Sequence, residues 1–310
     1  MNRIKKKKKH PVHSFYPCYI SLFLFGTPMN LLSLVLTLQP VSPQPPTSSE
    51  QQPVLPLWWG RAAHALLLNV IRQKDDVLAD RLHDSDGGLR PFTVSTLMGR
   101  FPHGELDPKT TYTMRFTAVS DEIAAPIFAA AQPGGALAPE AVVELDYLPF
   151  LVAAACWDGA AHPWAAATTY QDLSAPYLLA QVTAPRHVML DFTSPTTFKS
   201  GGMHIPIPLP ELVFGSLLEK WNAFAPIAFP PETRRYAAEC LAVSRYKLES
   251  RSVGVKGQAL RMGGIGRVTY TSLNYDRYWM SLVQVLAEFA LFAGVGAGTT
   301  MGLGQGRKGS

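Results

Sequence analysis

Residues 294–307 read Gly-Val-Gly-Ala-Gly-Thr-Thr-Met-Gly-Leu-Gly-Gln-Gly-Arg, with glycine at 294, 296, 298, 302, 304 and 306, directly after an apolar helical pattern. Glycine reaches backbone conformations closed to other residues and lets another chain or ligand come close to the main chain. Such a stretch can extend neither the helix before it nor a long strand, so it is a tight loop. Successive amides in a loop of this kind can form an anion-binding concavity. A dinucleotide-binding loop follows a strand and opens a helix; this one follows a helix, so that reading fails on context. A floppy tail would be polar throughout, whereas Val295, Met301 and Leu303 interrupt the glycines with apolar side chains.

The pattern leading to the loop is mixed α and β. From Met29, Leu32, Leu34, Leu36 and Leu38 alternate with Ser33, Val35 and Thr37, the period of a strand. Residues 40–57 are rich in Pro, Ser and Gln and form a loop. Residues 60–74 carry Leu67, Val70 and Ile71 on one helical face and Arg61, His64 and Arg72 on another; a short helix over 76–83 follows. A glycine turn within 82–99 leads into a strand, Tyr112–Val119 alternates as another, Asp121 caps a helix to about Ala131, and Val142–Ala154 is one apolar β stretch. The second half repeats the order. It has a strand at 186–193, a helix at Leu209–Ala223, paired strands at Leu241–Arg251 and Arg267–Leu273, and a helix at Arg277–Ala293 stopped by Gly294. In that last helix Leu282, Val283, Leu286 and Phe289 form the apolar face, with Arg277, Ser281, Gln284 and Glu288 opposite. Two βαββαβ units in tandem give an α+β protein of two ferredoxin-like (RRM-like) domains, residues 29–185 and 186–310, closed by the glycine-rich loop.

Charge divides along the same line. Residues 29–185 hold 8 basic and 15 acidic side chains, a net of −7, and residues 186–310 hold 14 and 8, a net of +6. A polyanion therefore meets mainly the C-terminal half. On the strand from Leu241, Arg245, Lys247, Glu249 and Arg251 share a face, and Lys256, Arg261 and Arg267 add to the same region. This is either a phosphate track or a sheet edge protected by charge. Cys18, Cys156 and Cys240 are too few and too scattered for a metal cluster or a disulfide framework, which fits the reducing cytoplasm. Residues 1–28 pair Lys5–Lys9 with a short apolar run broken by Pro17 and Cys18, and no small-residue cleavage site follows. They are expected to be an appended tail outside the fold. Secretion is the minority alternative, and no stretch is long enough to span a membrane as a helix.

The G-x-G-x5-G-x-G spacing after the last helix resembles the signature of the repeat-associated RNA-binding proteins of CRISPR systems. Three further stretches are similar to the repeat-cleaving endoribonucleases among them, the Cas-six family: LHDSDGGLRPFTVSTLMG (82–99), FTSPTTFKSGG (192–202) and PELVFGSLLEKWNAFAP (210–226). The resemblance covers about residues 29–305. It implies an enzyme, working without metal or other cofactor, that binds the repeat of a CRISPR precursor transcript and cuts once per repeat. The ribose 2′-hydroxyl attacks the adjacent phosphate and leaves a 2′,3′-cyclic phosphate and a 5′-hydroxyl.

That chemistry needs a base, an acid and positive charge at the phosphorane. His83 occupies the position of the family histidine, and Arg90 falls where the family often has a cation near the phosphate. His83 also suits a helix C-terminus, where the dipole favours it. His64, on the preceding helix, ranks second and also reads as a partly buried structural histidine. Leu68 stands where some members carry a catalytic tyrosine. For RNA binding the candidates are Lys199, Arg245, Lys247 and Arg251, with Gly294, Gly296, Gly302 and Gly304 of the loop, and Arg307 beyond it. Phe198 reads as a core aromatic or a base-stacking one, and His204 has no matched role. Two departures stand out: Ala297–Met301, the middle of the loop, holds no cation where the family usually has one, and only a few residues remain for the final strand. The alternative function is a non-catalytic RNA-binding subunit of a CRISPR effector complex. Exposed strands and Trp58-Trp59 would permit a homodimer without requiring it.

Overall fold

The computed structural model describes residues 29–41, 56, 58–84, 88–254 and 260–309. In chain order the first half contains β1 (Leu31–Pro40), α1 (Gly60–Arg72), α2 (Asp76–Asp84), β2 (Phe92–Val94), β3 (Tyr112–Ala118), α3 (Asp121–Ala130), β4 (Val142–Leu145), β5 (Leu148–Cys156) and β6 (Ala166–Thr168). The next helix, α4 (Tyr170–Leu178), leads into β7 (His187–Thr196), β8 (Phe198–Ser200), β9 (Met203–Ile205), α5 (Pro210–Phe224) and α6 (Glu232–Cys240). The chain continues as β10 (Leu241–Gly254), β11 (Leu260–Ser272), α7 (Arg277–Ala293) and β12 (Gly306–Lys308).

Two large antiparallel sheets and the two-stranded ribbon β8–β9 result among the described residues. The first runs β2-β3-β1-β5-β4, with β6 pairing the start of β1, and the second runs β10-β11-β7-β12. Removing the edge strand β4 and the short β6 leaves the same order twice, the βαββαβ order of a ferredoxin-like domain. The mixed α+β fold of tandem ferredoxin-like units is thus present. The final strand is three residues long, and Gly306, Arg307 and Lys308 pair with Phe192, Asp191 and Leu190 of β7.

Several boundaries differ from the sequence reading. The apolar run at 142–154 is not one strand but the hairpin β4–β5, turned at Asp146 and Tyr147 with φ of 50° and 67°. A primed hairpin turn of this kind is usually announced by glycine or asparagine; none stands here, so the turn was invisible. The helix Asp121–Ala130 has Ser120 rather than Asp121 as its N-cap residue. The polar stripe of α7 does not face water: Ser281 and Gln284 are buried. Gln284 Nε2 donates to the carbonyls of Pro185 and His187, at 3.1 and 2.9 Å. Helix α4, unforeseen because Pro176 lies inside it, packs against α7. The tail 1–28, most of the loop 40–57, and Lys256 lie outside the described residues.

The leucines of β1 at 32, 34, 36 and 38 enter one core with α1, α2 and α3, as their alternation requires. Leu31 belongs instead to the second core, built on α5, α7 and the inner faces of β7 and β11. The two cores therefore meet along β1. Among the described residues no helix is long and apolar enough to cross a membrane.

Candidate functional site

The glycine-rich loop ends at the junction of the two sheets. Residues Thr299–Met301 form a single 3-10 turn that docks on the N-terminus of α1. Met301 O accepts from Trp58 Nε1 at 2.6 Å. A Cβ on Gly60, the first residue of α1, would lie 1.9 Å from that carbonyl oxygen, so Gly60 must be glycine for the loop to seat. The partial positive charge of a helix N-terminus favours an oxygen there.

His64 stands one turn further along α1. Its Nδ1 lies 2.9 Å from Thr300 O, and its ring sits 5.5 Å from that of Phe92. A carbonyl can only accept, so Nδ1 carries the hydrogen and Nε2 is the basic nitrogen. Burial pulls the pKa of His64 below the ordinary 6.5, its hydrogen bond to Thr300 opposes this, and the charges of Arg90 and His83 push it further down. His64, His83 and Arg90 are thus one electrostatic group, with His83 exposed at the end of α2 and Arg90 half-buried before β2. The sequence ranked His83 first; the structure gives His64 the docked position and the fixed tautomer. Leu68 faces the core, so no side chain replaces the missing tyrosine at its position. Among the described residues no three His, Cys, Asp or Glu side chains gather in a way that could hold a metal ion.

The loop glycines are explained first by the protein's own backbone. Gly294, Gly296, Gly302 and Gly304 all have positive φ, from 61° to 90°. A Cβ would strike Val295 O at 2.1 Å from Gly304, and Thr197 O at 2.3 Å from Gly296. Several loop amides are used internally: Val295 N donates to Gly304 O, Ala297 N to Thr197 O and Gly304 N to Pro195 O. Gly296 N donates to Ser216 Oγ and Gln305 N to Ser194 Oγ.

The cationic candidates divide into two groups. On the open face of the second sheet, register aligns Lys247, Arg267, Asp191 and Arg307 in one row across β10, β11, β7 and β12. Asp191 draws Arg267 in at 2.5 Å and lies 3.9 Å from Arg307. The Arg307 guanidinium also stacks 4.9 Å from the Trp164 ring. Arg245 and Arg251 stay exposed on β10. The second group is at the β8–β9 hairpin, where Lys199 pairs in register with His204. Desolvation and the charges of Arg261 and Lys199 lower the pKa of His204. Phe198 is a core residue, 3% exposed, under Gly296.

Sequence reasoning missed what holds the junction together. Arg115, on β3, is 1% exposed. Its Nε donates to Gln305 Oε1 at 3.0 Å, and its Nη1 to Ser33 Oγ at 3.1 Å and Leu291 O at 2.6 Å. It also lies 5.0 Å from the Trp164 ring. Burial pulls its pKa down to about 9. Gln305 Nε2 donates in turn to Val94 O, and Thr117 Oγ1 to Phe292 O. Lys220 of α5 is buried, and its Nζ donates to Ala293 O and Gly294 O at 2.9 and 3.0 Å, capping α7 at the root of the loop. Burial brings its pKa down to about 7. A lone arginine in an alternating strand and a lysine inside a helix carry no signal of burial in one dimension. Trp59 is buried, at 4% exposure, and Trp58 is partly buried.

Two ferredoxin-like units joined through a glycine-rich loop define the class of tandem ferredoxin proteins, and the comparisons narrow it. The model of the CRISPR-associated endoribonuclease Cas6 family matches residues 190–306. The CRISPR-associated endoribonuclease Cas6 of Mycobacterium tuberculosis is 31% identical over 120 residues, 38% of each chain. That of Streptococcus thermophilus is 28% identical over 117 residues, 36% of this chain and 46% of the relative. In sequence, then, the matches span less than half of the curated relatives. In three dimensions the match is nearly complete. A Cas6 product complex superposes with a TM-score of 0.68 at 28% identity, covering 90% of this chain and 99% of that one. The product complex of a Thermus thermophilus Cas6 gives 0.70 at 25%, covering 91% and 100%. Residues 190–306 thus resemble the Cas6 family in sequence, and nearly the whole chain resembles Cas6 structures in fold.

Proposed function

We propose that the protein is an endoribonuclease that cuts CRISPR precursor transcripts once within each repeat, in the cytoplasm. On this reading residues 29–185 supply the acid–base groups and residues 186–310 supply most of the charge that holds the RNA. The observation that carries it is His64 docked on the glycine loop within electrostatic reach of Arg90 and His83, in a chain whose residues 190–306 match a family of endoribonucleases.

The proposed step needs no metal. Nε2 of His64 takes the proton of the ribose 2′-hydroxyl, whose oxygen attacks the adjacent phosphorus. The bond to the 5′-oxygen breaks, and that oxygen takes a proton from His83, leaving a 2′,3′-cyclic phosphate and a 5′-hydroxyl. Arg90 stabilises the charge that builds on the phosphorane. A neutral His64 suits the base role, because its lowered pKa keeps Nε2 unprotonated at neutral pH. Arg245, Lys247, Arg251 and Lys199 hold phosphates, with Arg307 at the rim; the loop glycines serve by letting the loop seat against α1.

The test uses the full chain, a transcript of the host's repeat and excess chelator, read on a denaturing gel with end-group analysis. One cut with a cyclic phosphate end, lost in His64→Ala, is the expected result. Tight binding without cutting would make the protein a non-catalytic RNA-binding subunit instead.

A further inference from the structure

A cavity of about 480 Å³ opens between the two sheets, beside the docked loop. Its walls include Trp58, Thr96 and Phe101 from the first half and Ser194, Arg251 and Ile265 from the second. Its size lies in the ~300–1,000 Å³ range of small-ligand sites. Aromatic and aliphatic surface lines it, and the exposed Arg251 is its cationic wall. Two hydroxyls are placed by the backbone: Thr96 Oγ1 accepts from Trp59 N at 3.2 Å, and Ser194 Oγ accepts from Gln305 N at 2.9 Å. Each is then left with its own hydrogen to donate.

The cavity adjoins the docked loop that holds His64. Trp58 holds Met301 O, the residue before Met301 holds His64, and the Trp58 ring lies 3.1 Å from where a Cβ on Gly302 would be. The second wall is brought in by bare backbone. A Cβ on Gly263, opposite Arg251 in register, would fall 2.7 Å from Pro195. Only glycine there lets β11 press against the end of β7 and carry Arg251 to the cavity.

We propose that this cavity takes a single unpaired nucleotide of the RNA beside the cleavage site, its base against Trp58 and Phe101 and its phosphate at Arg251. The inference rests on the RNA-cleaving reading above and deepens it. A paired base cannot turn its face into a cavity, whereas unpaired bases are recognised by stacking on aromatic side chains and by hydrogen bonds to their edges. The partly exposed Thr96 hydroxyl favours a base edge that presents an acceptor.

The test is photo-crosslinking of the full chain to a short single-stranded oligouridylate carrying one 5-iodouridine, with the crosslinked peptide identified by mass spectrometry. A crosslink to the peptide holding Trp58 or to that holding Phe101 is expected; crosslinks confined to other peptides, or none, would overturn the assignment. Phe101→Leu should weaken binding of the same oligonucleotide about tenfold. Arg251→Gln, on the surface, should lower the salt slope by about 0.7. Repeat cleavage is followed in parallel. Unchanged KM for both variants would sink the cavity assignment and leave the nuclease standing. Crosslinks at Trp58 without any repeat cleavage would keep the cavity and remove the nuclease.

Discussion

The two sheets have the same strand order but different faces. At β1 and β3 the first is buried on both. One face takes the leucines of β1. The other, carrying Ser33, Arg115 and Thr117, is closed over by the end of α7 and by Gln305. The second sheet buries one face against α5 and α7 and leaves the other to solvent, with Lys247, Arg267, Asp191 and Arg307 in a row. Placing Lys247 directly opposite Arg267 is unfavourable unless an anion meets them. Duplicate folds thus serve opposite ends: the first is a clasp that seats the loop and its histidine, and the second keeps a charged platform open.

The largest expected effect separates the two roles in chemistry. His64→Ala should lower cleavage about a thousandfold while repeat affinity stays within about threefold, read by single-turnover kinetics and filter binding. Equal losses in both would mean that the first sheet also holds the RNA. Next comes the clasp. Gln305→Leu leaves the buried Arg115 without its main acceptor and should cost about 3 kcal/mol of stability, measured by urea unfolding. A cost below about 1 kcal/mol would show that the first sheet's second face is not closed as described.

A smaller effect follows from pH. His64 in the fold has a pKa below its unfolded 6.5, so below that pH the unfolded chain binds the proton more readily. The His64 contribution to stability is complete above pH 6.5 and declines as the pH falls through the lowered folded value. The acid limb of the cleavage profile should likewise lie below 6.5, and a limb at or above 6.5 would count against His64 as the base. The smallest effect is on the open platform: Lys247→Gln should lower the salt slope of repeat binding by about one and leave the cleavage rate at saturating RNA unchanged. A slope equal to that of the unaltered protein would return the row to a mere protected sheet edge.

Local rules made much of this legible. Helix α7 was readable over Arg277–Ala293 because its apolar spacing is strong and Gly294 stops it; it does so with φ of 61°. The leucine alternation of β1 and the repetition of βαββαβ required only period and order. The hairpin β4–β5 was not readable, since Asp146 and Tyr147 adopt left-handed geometry without a glycine to announce it. Of the candidate site, His64, His83 and Arg90 were named from sequence, but the contact that seats His64 was not available there. That contact depends on Thr300, 236 positions away, reaching the ring nitrogen.

The sequence by itself determined most of the elements, their duplication, the charge divided between the halves and the need for a tight loop after α7. These are properties of neighbours along the chain, set by side-chain period, backbone freedom and composition. Tertiary structure alone decided which faces close. Arg115 and Lys220 carry charges that a one-dimensional reading sends to water, yet both are buried because carbonyls, an amide oxygen and a hydroxyl from distant segments accept their hydrogen bonds. Desolvation of a charge is tolerated only where such partners converge, and convergence exists only in the folded molecule.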